Sequence, residues 1–220
     1  MGAMIRLDVR HARAYVAEPD RPASGCVVVV HDAYGLLPHV RFLCDELAGA
    51  GFVAVAPDLF AGSVARSEAQ ASRLLEELTA DRAARVLDAA IRALDTLGHD
   101  RCARGAVGFS IGAEFAFGLV ARGRLQALVA YDGVPSEEHR DMVDAPLLLH
   151  WSATDRWDDE YPPDRLVSDL RARGIDVESH RYPNTGDNFG NADIEAFDLD
   201  AAELALDRTV RFLTDRLSGD

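Results

Sequence analysis

The chain has little of what marks several functional classes. Nothing approaches the roughly 20 apolar residues of a membrane span, and residues 1–10 hold no apolar core of signal-peptide length. A soluble, cytoplasmic protein with no membrane partner is therefore expected. Basic residues are outnumbered, 23 Lys plus Arg against 37 Asp plus Glu, for a net charge of −14. That balance opposes binding to nucleic acid or to an anionic membrane surface. Cysteine is scarce: Cys26, Cys44 and Cys102 are odd in number and spaced like neither a disulfide framework nor a metal-ligand motif. They read as reduced, mostly buried thiols. With no repeats, no low-complexity tract and no Ser/Gly/Pro-rich linker, one domain over residues 1–220 is expected, with no cofactor and no metal.

What is present is an ordinary globular composition, 48% hydrophobic and 27% charged, with enough chain for a substantial core. Residues 4–9 and 12–17 read as short strands. Cys26-Val27-Val28-Val29-Val30 is a continuous β-branched run, as in a strand buried on both faces. Further strands are expected at 52–56, 105–109, 125–131, 146–151 and 176–182. Helical periodicity covers 40–50, 68–78, 83–97, 162–172 and 201–217. Strands alternating with helices imply an α/β fold with a mostly parallel sheet covered on both faces. Function in such sheets gathers beyond the carboxyl ends of the strands, which would carry Asp32, Ser110, Asp132, Asp155 and Asp187.

The centre of the pattern is Gly108-Phe109-Ser110-Ile111-Gly112, an apolar strand passing at once into a helix. This is the nucleophile-elbow pattern, which exposes one side chain on a sharp turn at a helix N-terminus. The plainer alternative is a Gly-flanked serine acting only as a helix cap. A nucleophilic serine needs a base and a group that orients the base. Asp155 suits the orienting acid. The loop after the last strand, where the base belongs, reads Pro183-Asn184-Thr185-Gly186-Asp187-Asn188-Phe189-Gly190 and has no histidine.

These segments together resemble the dienelactone hydrolase family, a lidless branch of the α/β-hydrolases. The similarity is carried by His31-Asp32-Ala33-Tyr34-Gly35-Leu36, Val55-Ala56-Pro57-Asp58-Leu59-Phe60 and the elbow, and extended by Tyr131-Asp132-Gly133-Val134, residues 146–155 and Gly186-Asp187-Asn188-Phe189. The resemblance implies Ser110 as nucleophile, Asp155 as acid, and an oxyanion hole from the backbone N–H groups of Ala33 and Ile111. It also implies contact between the nucleophile and a carboxylate, here Asp32. Three positions depart from the family pattern. Asp187 stands where the family has its histidine, Asn191 roughly where it has a substrate-binding arginine, and Glu114 where a small or apolar residue is usual.

A carboxylate is a weaker base than imidazole: the ordinary pKa values are about 3.9 and about 6.5, a difference worth roughly 3.5 kcal/mol. Burial beside other acids can raise a carboxyl into a useful range. His31, His39 and His139 are the candidates for a relocated base, while His150 and His180 read as structural. Asp32, Asp155, Asp187 and Glu114 could alternatively converge on a hard cation. Tyr34, Glu114, Trp157, Phe189 and Asn191 are candidates for contact with a small-molecule substrate, and Asp58 and Asp132 for loop caps. Hydrolysis of a small ester or lactone by an atypical Ser-Asp-Asp site, in a monomer or homodimer, is the first reading. Acid–base catalysis without hydrolysis (a cyclase, isomerase or dehydratase) and a non-catalytic binding protein are the alternatives.

Overall fold

Gly25–Val30 has no polar side chain to send to water, and it runs through the middle of the structure with every residue buried. The computed structural model describes residues 1–154 and 161–218. Eight strands form one sheet in the order β1-β2-β4-β3-β5-β6-β7-β8: Ala3–Arg6, Arg13–Ala17, Phe52–Pro57, Gly25–Val30, Arg104–Phe109, Ala127–Tyr131, Leu147–Trp151 and Val177–Arg181. From β4 to β8 all neighbours are parallel. The hairpin β1–β2 is antiparallel and meets β4 antiparallel. The expected α/β-hydrolase architecture is therefore the observed one.

Alternation along the strands divides the core into two layers. Cys26, Val28 and Val30 face one layer with Val86, Leu87 and Ile91 of α3 (Ala80–Thr96), Phe117 and Leu119 of α4 (Ile111–Ala121) and Leu166 of α5 (Pro163–Ala172). Val27 and Val29 face the other, with Leu43 and Leu47 of α1 (Pro38–Ala50) and Phe212 and Leu213 of α6 (Leu199–Leu217). Helix α2 (Glu68–Glu77) buries only Ala71 and lies at the periphery.

Side-chain caps account for two of the helices that start earlier than periodicity suggests. Thr79 Oγ1 accepts the Arg82 N–H (3.2 Å), starting α3 at Ala80. Asp198 Oδ1 accepts the Ala201 N–H (2.9 Å), starting α6 at Leu199. Each satisfies one otherwise orphaned donor of a first turn. Among the described residues no helix is long and apolar enough to cross a membrane.

Candidate active site

Strand β5 delivers Ser110 into a strained bend. Its backbone stands at φ 51° and ψ −116°, a conformation that L side chains rarely adopt. Three backbone bonds anchor it: its N–H donates to Tyr131 O of β6 (2.8 Å), and its carbonyl accepts the N–H groups of Ala113 (2.9 Å) and Glu114 (3.4 Å) of α4. The flanking glycines allow the bend for a steric reason. A Cβ at position 108 would lie 2.5 Å from Ala113 Cα, and one at 112 would lie 2.4 Å from the carbonyl oxygens of Val30 and His31. Helix α4 can press against β5 and β3 only without those carbons.

The backbone N–H groups of Ala33 and Ile111 have no hydrogen-bond partner among the described residues. Ile111 opens α4, where the helix dipole favours negative charge. The loop holding Ala33 is shaped by Asp32, which is buried. Its Oδ1 accepts the Tyr34 N–H (2.8 Å) and its Oδ2 accepts an Asn191 side-chain N–H (2.9 Å). Asn191 Oδ1 in turn accepts the Asp193 N–H (3.0 Å). Asp193 Oδ2 accepts the His39 N–H (2.8 Å) and stands 3.1 Å from His39 Nδ1. The loop after β8 is thus clipped to the loop after β3 and to the start of α1.

Asp187 is half-buried in that later loop. It walls a cleft of about 710 Å³ with Tyr34, Leu37, Asn188, Asp193 and Arg66, while Ser110 is not among the wall residues. The neighbouring Asn188 N–H donates to Asp132 Oδ2 (3.3 Å), and Asp132 Oδ1 accepts the Ser152 N–H (2.6 Å). Asp132 is therefore a buried brace joining three loops at the carboxyl edge, as expected of a turn residue. Asp58 likewise caps its own loop by accepting the Phe60 N–H (3.0 Å). Asp155 and Trp157 lie outside the described residues.

Several expectations require correction. Phe189 does not line a pocket: it is fully buried, its ring 4.7 Å from that of Tyr182. Asn191 is equally inaccessible and is spent on Asp32. Glu114 is half-buried on α4, with burial pushing its carboxyl up and His139 pulling it down. No candidate histidine hydrogen-bonds Ser110. His31 directs Nδ1 to Asp32 O (2.7 Å) and accepts the Leu59 N–H at Nε2 (3.1 Å). His39 is held by Asp193, and His139 pairs through Nδ1 with Ser136 Oγ (2.9 Å). Nor do Asp32, Asp187 and Glu114 form a ligand cage among the described residues. His150 is structural, its nitrogens lying 2.8 Å from Tyr182 Oη and 3.1 Å from Thr209 Oγ1. Nothing in the sequence sets Asp193 apart from the other acids of an acidic chain.

With this geometry in view, the model of the dienelactone hydrolase family matches residues 12–217. The chain belongs to the dienelactone hydrolase family. It is 26% identical over 212 residues to carboxymethylenebutenolidase 1 of Cupriavidus pinatubonensis, covering 91% of this chain and 90% of that one. A putative dienelactone hydrolase from Klebsiella pneumoniae superposes with a TM-score of 0.83 at 21% identity, over 96% of this chain and 97% of the other. The dienelactone hydrolase-like promiscuous phosphotriesterase P91, from metagenomic libraries, superposes at 0.80 with 19% identity, over 98% and 99%. As a member of this family the chain is a hydrolase of the ester and lactone class.

Proposed function

We propose that the protein hydrolyses a small ester or lactone that bears no carboxylate, by a covalent route through Ser110, acting in the cytoplasm as a monomer or homodimer. The observation that carries this reading is the strained serine at the head of α4, next to the N–H of Ile111, which has no partner among the described residues, with the equally unpartnered N–H of Ala33 in the loop after the adjacent strand β3. Ser110 Oγ attacks the carbonyl carbon, and the N–H groups of Ala33 and Ile111 hold the oxygen as it becomes negative. Asp187 takes the hydroxyl proton and returns it to the leaving oxygen, with Asp155 in the acid's role that the family resemblance assigns to it. Water then attacks the acyl-enzyme and releases the acid product. Asp32 acts at one remove, shaping the oxyanion loop through Tyr34 and Asn191.

The relatives named carboxymethylenebutenolidase support a lactone or an ester as substrate. The acidic cleft supports a substrate without an anionic group, since Glu68, Asp187, Asp193 and Glu195 line it with Arg66 as the cation among its described wall residues. A carboxylate-bearing substrate would meet repulsion there. The test is labelling by a fluorophosphonate with turnover of p-nitrophenyl acetate. Labelling of the wild type that Ser110→Ala abolishes supports the reading, and a folded wild type that resists the label overturns it. If Ser110→Ala keeps native turnover while Asp187→Asn loses it, the chemistry is proton transfer without hydrolysis.

A further inference from the structure

At the opposite end of the central strands from Ser110, three side chains converge that ester hydrolysis does not use. Cys26, the second residue of β3, is fully buried; its N–H donates to Ala103 O (2.9 Å) and it pairs in register with Arg104 of β5. His99 and Cys102 sit in the turn from α3 to β5. That turn is fixed by His99 N–H to Leu94 O (2.9 Å) and Cys102 N–H to His99 O (3.2 Å). One ring nitrogen of His99 and the sulfurs of Cys26 and Cys102 all lie within 4.8 Å of one another. His99-Asp100-Arg101-Cys102 supplies two of these donors at short spacing, but the third lies 73 residues upstream of His99, so linear spacing hides the set.

Two thiols and an imidazole are a donor set suited to tetrahedral zinc, in which bonds of about 2.3 Å to sulfur and 2.0 Å to nitrogen put ligand atoms roughly 3.5–3.8 Å apart. Side-chain adjustment of about an ångström closes the observed triangle onto an ion. We propose that Cys26, His99 and Cys102 bind one zinc ion, with the Glu18 carboxylate or a water in the fourth position, pinning the start of β3 to the turn that enters β5. Glu18 Oε2 stands 3.4 Å from His99 Nε2. Binding releases the two thiol protons to solvent and involves no redox change. Two sulfur donors select a cation that bonds strongly to thiolate. Calcium and magnesium, which prefer oxygen, are excluded on the same ground. The competing use of the two sulfurs is a disulfide, which has no need of His99.

The experiment compares the reduced, chelator-treated full chain with His99→Ala and Cys102→Ser, both at half-buried positions, with circular dichroism confirming that each variant folds. Zinc affinity is measured by competition with a chromophoric chelator, and cobalt(II) serves as a spectroscopic probe. The wild type should bind one equivalent of zinc, and either substitution should weaken binding at least tenfold. Zinc should raise the thermal midpoint of the wild type but not of the variants. Cobalt should give a thiolate charge-transfer band and tetrahedral visible bands. The proposal is overturned if His99→Ala binds zinc as the wild type does, or if cobalt shows no thiolate band. It is overturned equally if the reduced chain takes up less than one equivalent and air oxidation yields a Cys26–Cys102 disulfide.

Discussion

Asn191 and Asp32, 159 positions apart in the chain, meet through a 2.9 Å hydrogen bond from the amide to Oδ2. Both are buried, and the bond ties the oxyanion loop directly to the loop that carries Asp187. Removing it leaves a carboxylate oxygen in the interior without its donor, which costs about 1.5–3 kcal/mol for a charged acceptor. Asn191→Ala should lower the unfolding free energy by that amount, read as a lower urea midpoint, and reduce esterase kcat as the Ala33 loop loosens. Asn191→Asp should be worse, because it sets a second carboxylate against the first. If Asn191→Ala unfolds like the wild type, the clip between the two loops is not energetically real.

The elbow makes function and stability oppose each other at one residue. Ser110 holds φ 51° and ψ −116°, where a non-glycine residue carries strain of roughly 1–3 kcal/mol. Glycine enters that region freely but adds disorder to the unfolded chain. Ser110→Gly should raise stability by about 1 kcal/mol, read as a higher midpoint in chemical denaturation. The same variant should lose all fluorophosphonate labelling. A destabilised Ser110→Gly would mean that the serine side chain contributes more to packing than its backbone costs.

How far the sequence disclosed this arrangement depended on whether each feature is local. The β-branched run at Cys26–Val30 and the Gly-X-Ser-X-Gly turn are short-range patterns, and the structure realises both as central strand and elbow. Helix starts were displaced by two or three residues because Thr79 and Asp198 act through one hydrogen bond each, which periodicity does not register. Side-chain direction was illegible. Phe189 and Asn191 lie in the right loop, yet they turn inward to Tyr182 and Asp32, and only the packing of distant segments decides that. The same limit applies to Cys26, whose neighbours His99 and Cys102 come from another strand connection.

Replacing the acid by imidazole tests the proposed proton route. Asp187 is half-buried in the loop after β8, on the cleft wall with Tyr34. An imidazole has an ordinary pKa of about 6.5 against about 3.9 for aspartate, and so accepts the serine proton more readily at neutral pH. Asp187→His should raise kcat/KM for p-nitrophenyl acetate on the order of 10²-fold, with activity rising as the new imidazole loses its proton. No gain in a folded variant would show that position 187 does not reach the serine.

Buried histidines set how the fold responds to acid. Burial holds His31, His39 and His150 below the ordinary imidazole value; Asp32 and its backbone carbonyl oppose this at His31, Asp32 and Asp193 oppose it at His39, and His180 and Arg208 reinforce it at His150. The geometry agrees, since His31 Nε2 accepts the Leu59 N–H and a proton there would set two donors against each other. The folded pKa values lie below that of the unfolded chain, about 6.5, so between the two the unfolded state binds more protons. Stability is therefore full above pH 6.5 and falls as pH drops through the window below it, by up to about 1.4 kcal/mol per pH unit for each histidine. Urea titrations at pH 7.5, 6.5 and 5.5 should show this decline. His150→Gln should cost about 1–2 kcal/mol at pH 7.5, from its bonds to Tyr182 and Thr209, yet flatten the decline by one histidine's share. An unchanged slope in that variant would assign the acid sensitivity to the carboxylates instead.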